Sequence, residues 1–351
     1  MSGCRMCLKS DRSAGPIMED EIVCSGFFEA TVEKTVSCLD KFQGSGAVQW
    51  FFGNVLEAFY NTGHAILFPG EWLAWLGGLE TQEDKQSLMR FIYYGGSVEF
   101  FFFIFTAFLT LTAVCVAKPN WMWGVVRGLE AVANTVGRIA AWAGLLMVLQ
   151  QVMIVFVQRV FASVQITLGF GLPFSKDISW WAEELKLYNA IIVCLCVTYT
   201  FVQGGHVRVD LVYSAVSFRT KKIIDMVGSL VFMMPIAVLT WLYSWFFLWR
   251  HLVTPKVAAS DQLERLVGAK WRALKWNVET IGFSPNGFNG YFLFKVLLVL
   301  FCGLVFLHAI AFFFRSYLEY REGPESEGKH LDRDVLGDDS AELVHAIEEH
   351  H

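Results

Sequence analysis

Between residues 93 and 314 the chain alternates long apolar runs with short polar connections. The runs set the architecture. A helix crossing a hydrocarbon core of about 30 Å needs about 20 apolar residues at a rise of about 1.5 Å each, and the segments that qualify are 93–117, 139–162, 181–203, 223–249 and 291–314. A further run, 47–68, has the length but carries Asn54, Glu57, Asn61 and His64 and ends at Pro69-Gly70, so it either spans or lies along the surface. The pattern predicts an all-α membrane protein: four helices over 139–315, one or two extra N-terminal spanning helices over 47–138, and short connections. The flanks are an N-terminal segment over 1–46 and a tail over 316–351. From Gly323 onward that tail is acidic and polar and reads as disordered.

Composition agrees with a membrane protein. Of 351 residues, 55% are hydrophobic and only 17% charged, with 32 Phe and 13 Trp, too apolar and aromatic for a soluble domain of this length. The net charge of −5 is not gathered into basic blocks, which argues against a nucleic-acid partner. Cysteines offer little chemistry: Cys4-x-x-Cys7 has no second pair at zinc-ribbon spacing, and Cys115, Cys194, Cys196 and Cys302 lie in apolar stretches. The first 25 residues hold Asp11, Glu19, Asp20 and Glu21 and no apolar core, unlike a secretory signal.

Basic residues orient the spans, because Lys and Arg are retained on the cytoplasmic side. Lys118, Arg127 and Arg138 make the connection 118–138 cytoplasmic, as do Arg208, Arg219, Lys221 and Lys222 for the one after Gln203. Arg315 and Arg321 place the C-terminal tail inside. The link 163–180, with only Lys176 and Asp177, falls outside. Residues 250–290 should also be outside despite their basic residues; they are long enough to weaken the rule, and Leu266, Trp271 and Trp276 suit an amphipathic helix on the membrane surface. An even number of spans, with 47–68 crossing, would keep the N-terminus cytoplasmic too.

Catalytic motifs are missing: no nucleophile elbow, Walker A loop, HExxH or dinucleotide fingerprint occurs, so the chain is not expected to be an enzyme. His308 is the only His well inside a clear span, which speaks against paired haem ligands. One stretch does stand out: QGGHVRVDL follows a membrane-like run, with His206, Arg208 and Asp210 at alternate positions. Too few ligands and the fixed charge of Arg208 exclude a metal site. Gly204-Gly205 should end the preceding helix, leaving an extended docking loop or a surface-lying helix with one apolar and one charged face.

The arrangement ISWWAEELKLY (178–188), apolar span, GGHVRVDLV (204–212) resembles the small membrane subunit, of the Q or DctQ type, of tripartite ATP-independent periplasmic (TRAP) transporters. Matching positions are Arg159, Trp181, Glu183, Glu184, Leu185, Gly205, His206, Val207, Val209, Asp210 and Leu211, and the resemblance spans residues 139 to about 315, with 1–138 as an N-terminal extension and 250–290 as an outer insert. It implies a secondary transport system in a bacterial inner membrane, in which a secreted solute-binding protein delivers an organic anion to a membrane pair. The large (M) subunit would be a separate chain that carries out sodium-coupled uptake. The small subunit would do no catalysis and hold no cofactor; its partners would be the large subunit, the binding protein and the bilayer. The competing class is a haem-binding or anchoring subunit of an oxidoreductase.

Two groups of site residues follow. Arg159, Trp181, Glu183 and Glu184 are candidate helix or subunit contacts: Arg159 near the end of one span and the glutamates near the start of the next fall at similar depth, so Glu184 is expected to pair with Arg159 within the chain or jointly with the large subunit. Gly204, Gly205, His206, Arg208 and Asp210 form the candidate cytoplasmic docking loop. Asp177 or Ser179 could cap the second helix. Gly144, Gln150, Gln151, Asn189, Thr198, Thr200, Gly228, Ser229 and Gly303 could bring helices close or hydrogen-bond across them.

Overall fold

The computed structural model describes residues 37–169, 173–204, 216–253, 287–288 and 290–332. They fall into two compact units, the first within 1–71 and 97–107 and the second within 72–96 and 108–351.

In the first unit, helix α1 (Cys38–Gln43) starts at Ser37, whose Oγ accepts the Asp40 N–H at 3.0 Å. Helix α2 (Ala47–Leu67) follows, and Gln43 donates to Glu57 at 2.7 Å. Phe51 packs edge-on against Phe102 and Phe105 from the start of α5 (Val98–Ala117). Among the described residues, α2 is not one of the five helices long and apolar enough to cross a membrane.

The second unit opens with a short helix, α3 (Gly70–Leu73), which runs on from the first, and a 3-10 turn, then α4 (Gln82–Tyr94), started by a reciprocal capping box between Thr81 and Asp84. Its main elements are α6 (Pro119–Arg159), a hairpin of β1 (Gln165–Gly169) and β2 (Pro173–Asp177), α7 (Ile178–Val202), α8 (Phe218–Gly228), α9 (Met234–Val253) and α10 (Phe292–Glu322). The hairpin pairs Gln165 with Asp177 and Gly169 with Pro173 where a plain connection was expected.

The five apolar spans are α5, α6, α7, the continuous 218–253 rod and α10. The protein is an all-α, multi-pass membrane protein. α10 is its hub and the most buried of the five spans. Phe314 and Leu318 of α10 pack with Met122 and Val126 of α6 and with Phe108 of α5.

Three boundaries depart from expectation. First, 118–138 is no connection but the first half of α6, which with 41 residues is about 60 Å long. Pro119 occupies the first turn, where its missing N–H is harmless, and Met122, Trp123, Val126, Glu130, Ala133, Asn134 and Gly137 make a buried stripe at helical spacing. The helix persists because that stripe is covered, although its polar positions break the apolar run. Second, 218–253 contains a π segment, Ser229–Met233, in which the Met234 N–H bonds to Ser229 O. Pro235 follows directly and lacks the N–H for a regular ladder, and the wider turn absorbs that fault. Third, Gly323–Asp332 does not leave the fold: Gly323 turns the chain at φ 97°, and the segment lies back on the helix ends. Residues 333–351 lie outside the described residues.

Candidate subunit-contact site

The sequence-selected contact residues collect at one end of the second unit. Trp181, in the first turn of α7, is buried against Ile154 of α6 and Ile166 of β1. Gln150 of α6 reaches across and donates to Trp181 O at 2.9 Å and to Glu184 at 3.4 Å. Tyr188 also hydrogen-bonds Glu184. Glu183 faces the other way and accepts from the Phe288 N–H at 2.8 Å and from Tyr291 Oη at 3.3 Å. Glu183 thus ties α7 to the chain entering α10, and Glu184 ties it to α6.

Arg159 ends α6 exposed, and the ion pairs among the described residues do not include it. Within the chain both glutamates are engaged by neutral donors. The N-cap of α7 is Asp177, but it makes no side-chain cap; its Oδ1 instead accepts from Gln165 Nε2 at 3.1 Å across the hairpin.

At the opposite end, α7 stops at Val202, Gln203 caps it, and Gly204 turns with φ 79°, a conformation that favours glycine. Gly205, His206, Arg208 and Asp210 lie outside the described residues. Beside Gly204, however, stands a cluster of buried charges that the apolar pattern hid. Arg315 of α10 grips Glu130 of α6 with both ends of its guanidinium, Nε to Oε1 and Nη2 to Oε2, each at 2.6 Å. Lys222 of α8 meets Glu319 of α10 at 2.6 Å and Glu327 at 3.5 Å. Side chains of Glu130, Lys222, Arg315 and Glu319 are all less than a tenth exposed. The returning segment closes the cluster: Arg315 donates to Lys329 O at 3.1 Å, Asn134 to Asp332 O at 2.8 Å, and Gln203 to the same carbonyl at 3.1 Å. Arg138 pairs with Asp332 at 3.0 Å, and Trp123 Nε1 donates to Glu322 at 2.7 Å.

A sequence signal for this cluster existed. Glu130 and Asn134 sit at i and i+4 in an apolar stripe, and Arg315 and Glu319 repeat the spacing on α10. A charge inside an apolar stripe requires a buried partner, and here each finds one.

Close helix approach uses some of the expected small residues. A Cβ at Gly144 would lie 3.6 Å from Ile192, and one at Gly303 would lie 3.3 Å from Trp241. Ser229 and Thr200 instead bond to carbonyls of their own helices, while Gln151 and Asn189 are exposed. The tightest α6–α7 crossing is at Gly137, where a Cβ would run into the side chain of Tyr199.

Residues 170–263 match the family described as "Tripartite ATP-independent periplasmic transporters, DctQ component". The match takes in β2, α7, α8 and α9, and is narrower than 139–315. No curated protein and no solved structure matched the chain.

Proposed function

We propose, from the DctQ-type small-subunit domain at residues 170–263, that this chain is the small permease subunit of a TRAP-type secondary transporter in a bacterial inner membrane. It scaffolds a large transporting subunit and helps to dock a periplasmic solute-binding protein, for cation-coupled uptake of an organic anion. The family match carries the reading. A wide lipid-facing surface supports it: Trp142, Leu145, Leu149, Val152 and Phe156 form an exposed apolar stripe along α6, a face suited to a second membrane subunit. Arg159, exposed at the end of that helix, offers the large subunit a cation at the outer surface. The carboxylates of Glu183 and Glu184 hold the outer helix ends together and keep that surface rigid. The oxidoreductase-anchor alternative has no observation in its favour.

The test is co-expression with a large membrane subunit and an exported binding protein, followed by affinity capture and uptake of labelled C4-dicarboxylates and keto acids into liposomes. Capture of the large subunit and uptake that needs all three chains and a sodium gradient are expected. A monodisperse small subunit that moves these acids alone would overturn the reading.

A further inference from the structure

We propose that the stripe Gln86, Met89, Tyr93 and Gly96, on α4 and the turn that ends it, seats a transmembrane helix of the large subunit, which brings a hydrogen-bond donor to the Gly96 carbonyl. The identity of the partner rests on the transport reading; the need for one does not.

Packing within the second unit sets the depth of that turn. Leu88 clusters with Leu248, Trp249 and Leu252 near the end of α9, and from there α4 runs down α9 into the bilayer. Trp245 donates to Ile92 O at 2.8 Å and Trp241 to Gly95 O at 3.0 Å. Trp241 lies about 18 Å along the helix from its last residue, Val253. A Cβ at Gly303, in the middle of the apolar run 291–314, would lie 3.3 Å from the Trp241 ring. The chain thus leaves α4 after Tyr94 near the centre of a hydrocarbon core of about 30 Å.

Backbone polar groups at that depth must be satisfied by protein, because lipid tails offer no hydrogen bond. Several are: the two indoles take Ile92 O and Gly95 O, Phe91 O takes the Gly95 N–H and Tyr93 O the Gly96 N–H. The α9 side of the turn is also packed tight, since a Cβ at Gly95 would run into the Trp245 ring and one at Gly96 would lie 3.2 Å from it. The other side is open. Gln86, Met89, Tyr93 and Gly96 are all exposed, at the i, i+3, i+7, i+10 spacing of one helix face. Among the described residues no hydrogen bond reaches the Gly96 carbonyl. Acyl chains cannot supply that bond, whereas a neighbouring helix with a hydroxyl, amide or indole donor can. Gly96 lets such a helix come close, and Met89 and Tyr93 give it apolar and aromatic surface.

The full-length chain, with p-benzoylphenylalanine in place of Tyr93, is co-expressed with the large subunit, captured in detergent and irradiated. A cross-link from position 93 to the large subunit is expected. Tyr93→Ala should cut capture on the order of tenfold, with the unfolding temperature of the chain alone unchanged. Gly96→Cys, in an otherwise cysteine-free chain, should stay unlabelled by a membrane-impermeant maleimide in the assembled complex. Capture of the large subunit with no cross-link from position 93 would overturn the proposal and leave the transport reading standing. So would a cross-link to α2 of the same chain or to a second copy, which would assign the stripe to that occupant. Labelling of Gly96→Cys would put water at the turn and also overturn it. A wild-type chain that captures no large subunit would sink the transport reading and the proposal together.

Discussion

At the residue scale, Arg315 governs the end of the second unit at which α7 stops. One guanidinium satisfies both oxygens of Glu130, donates to Lys329 O and lies 5.5 Å over the Trp123 ring. Removing one member of a buried pair strands the other's charge, which costs about 3–5 kcal/mol, whereas replacing both with apolar residues is often near neutral. Glu130→Leu and Arg315→Leu should therefore each lower the unfolding free energy by about 3–5 kcal/mol in detergent, and the double variant should recover most of that loss. Denaturant titration of the three variants checks this, and additive losses would show that the pair has no coupling. At the opposite end, Gln150 is the only side chain that joins α6 to both Trp181 O and Glu184 among the described contacts. Gln150→Leu leaves a buried carbonyl and a carboxylate short of a donor, a loss of about 1–3 kcal/mol. The same titration should show it, and Gln151→Leu, at an exposed neighbour, should show nothing.

At the element scale, packing explains both what the sequence displayed and what it hid. The spans were legible because an uninterrupted apolar run has few alternatives, and the end of α7 was legible because Gly204 alone suits the turn. The first half of α6 was not. Its helix is held by a stripe with Glu130 and Asn134 in it, and a search for continuous apolarity stops at such residues. Likewise 323–332 reads as a solvated tail by composition, yet Glu327, Lys329 and Asp332 have partners on α8, α10 and α6 that no local pattern predicts. The pairing of Arg159 with Glu184, within the chain or jointly with the large subunit, was argued from depth, and depth could not foresee that within the chain Gln150 would supply Glu184 a neutral donor. Gly137 was passed over because a single glycine in a long helix carries no pattern; its role appears only with Tyr199 across from it. Gly137→Val should overfill that crossing and destabilise the chain by about 1–3 kcal/mol, while Gly124→Val, where a Cβ meets nothing within 4 Å, should be tolerated. Comparing the unfolding temperatures of the two variants decides whether the α6–α7 approach at Gly137 is as close as described.

At the scale of the whole molecule, contacts in the second unit sort the helix ends into two levels before any membrane is invoked. Glu183 joins the start of α7 to Phe288 and Tyr291, so the hairpin and the entry to α10 share one level. Asn134, Gln203 and Asp332 meet at the other, with Lys222 and Glu319 beside them. α4 belongs to the first level, because Trp241 and Trp245 of α9 donate to Gly95 O at 3.0 Å and to Ile92 O at 2.8 Å. Basic residues crowd the second level: Arg138, Arg219, Lys221, Lys222, Arg315 and Arg321. Retention of Lys and Arg on the cytoplasmic side would turn that level inward and put α4 outside. Single cysteines in a cysteine-free chain test the assignment with a membrane-impermeant maleimide on intact cells and on inverted vesicles. A cysteine at Glu83 should react from outside and one at Lys221 only from the cytoplasm. A third at Ser10 reports on α2, whose Asn54, Glu57 and His64 leave it outside the helices apolar enough to cross by composition alone. Reaction from the cytoplasm would mean that α2 crosses and that the chain has six spans. Reaction from outside, on the same side as Glu83, would lay α2 along the surface and leave five. Labelling of Glu83 and Lys221 from one side would break the two-level arrangement itself, since an odd number of crossings separates α4 from α8.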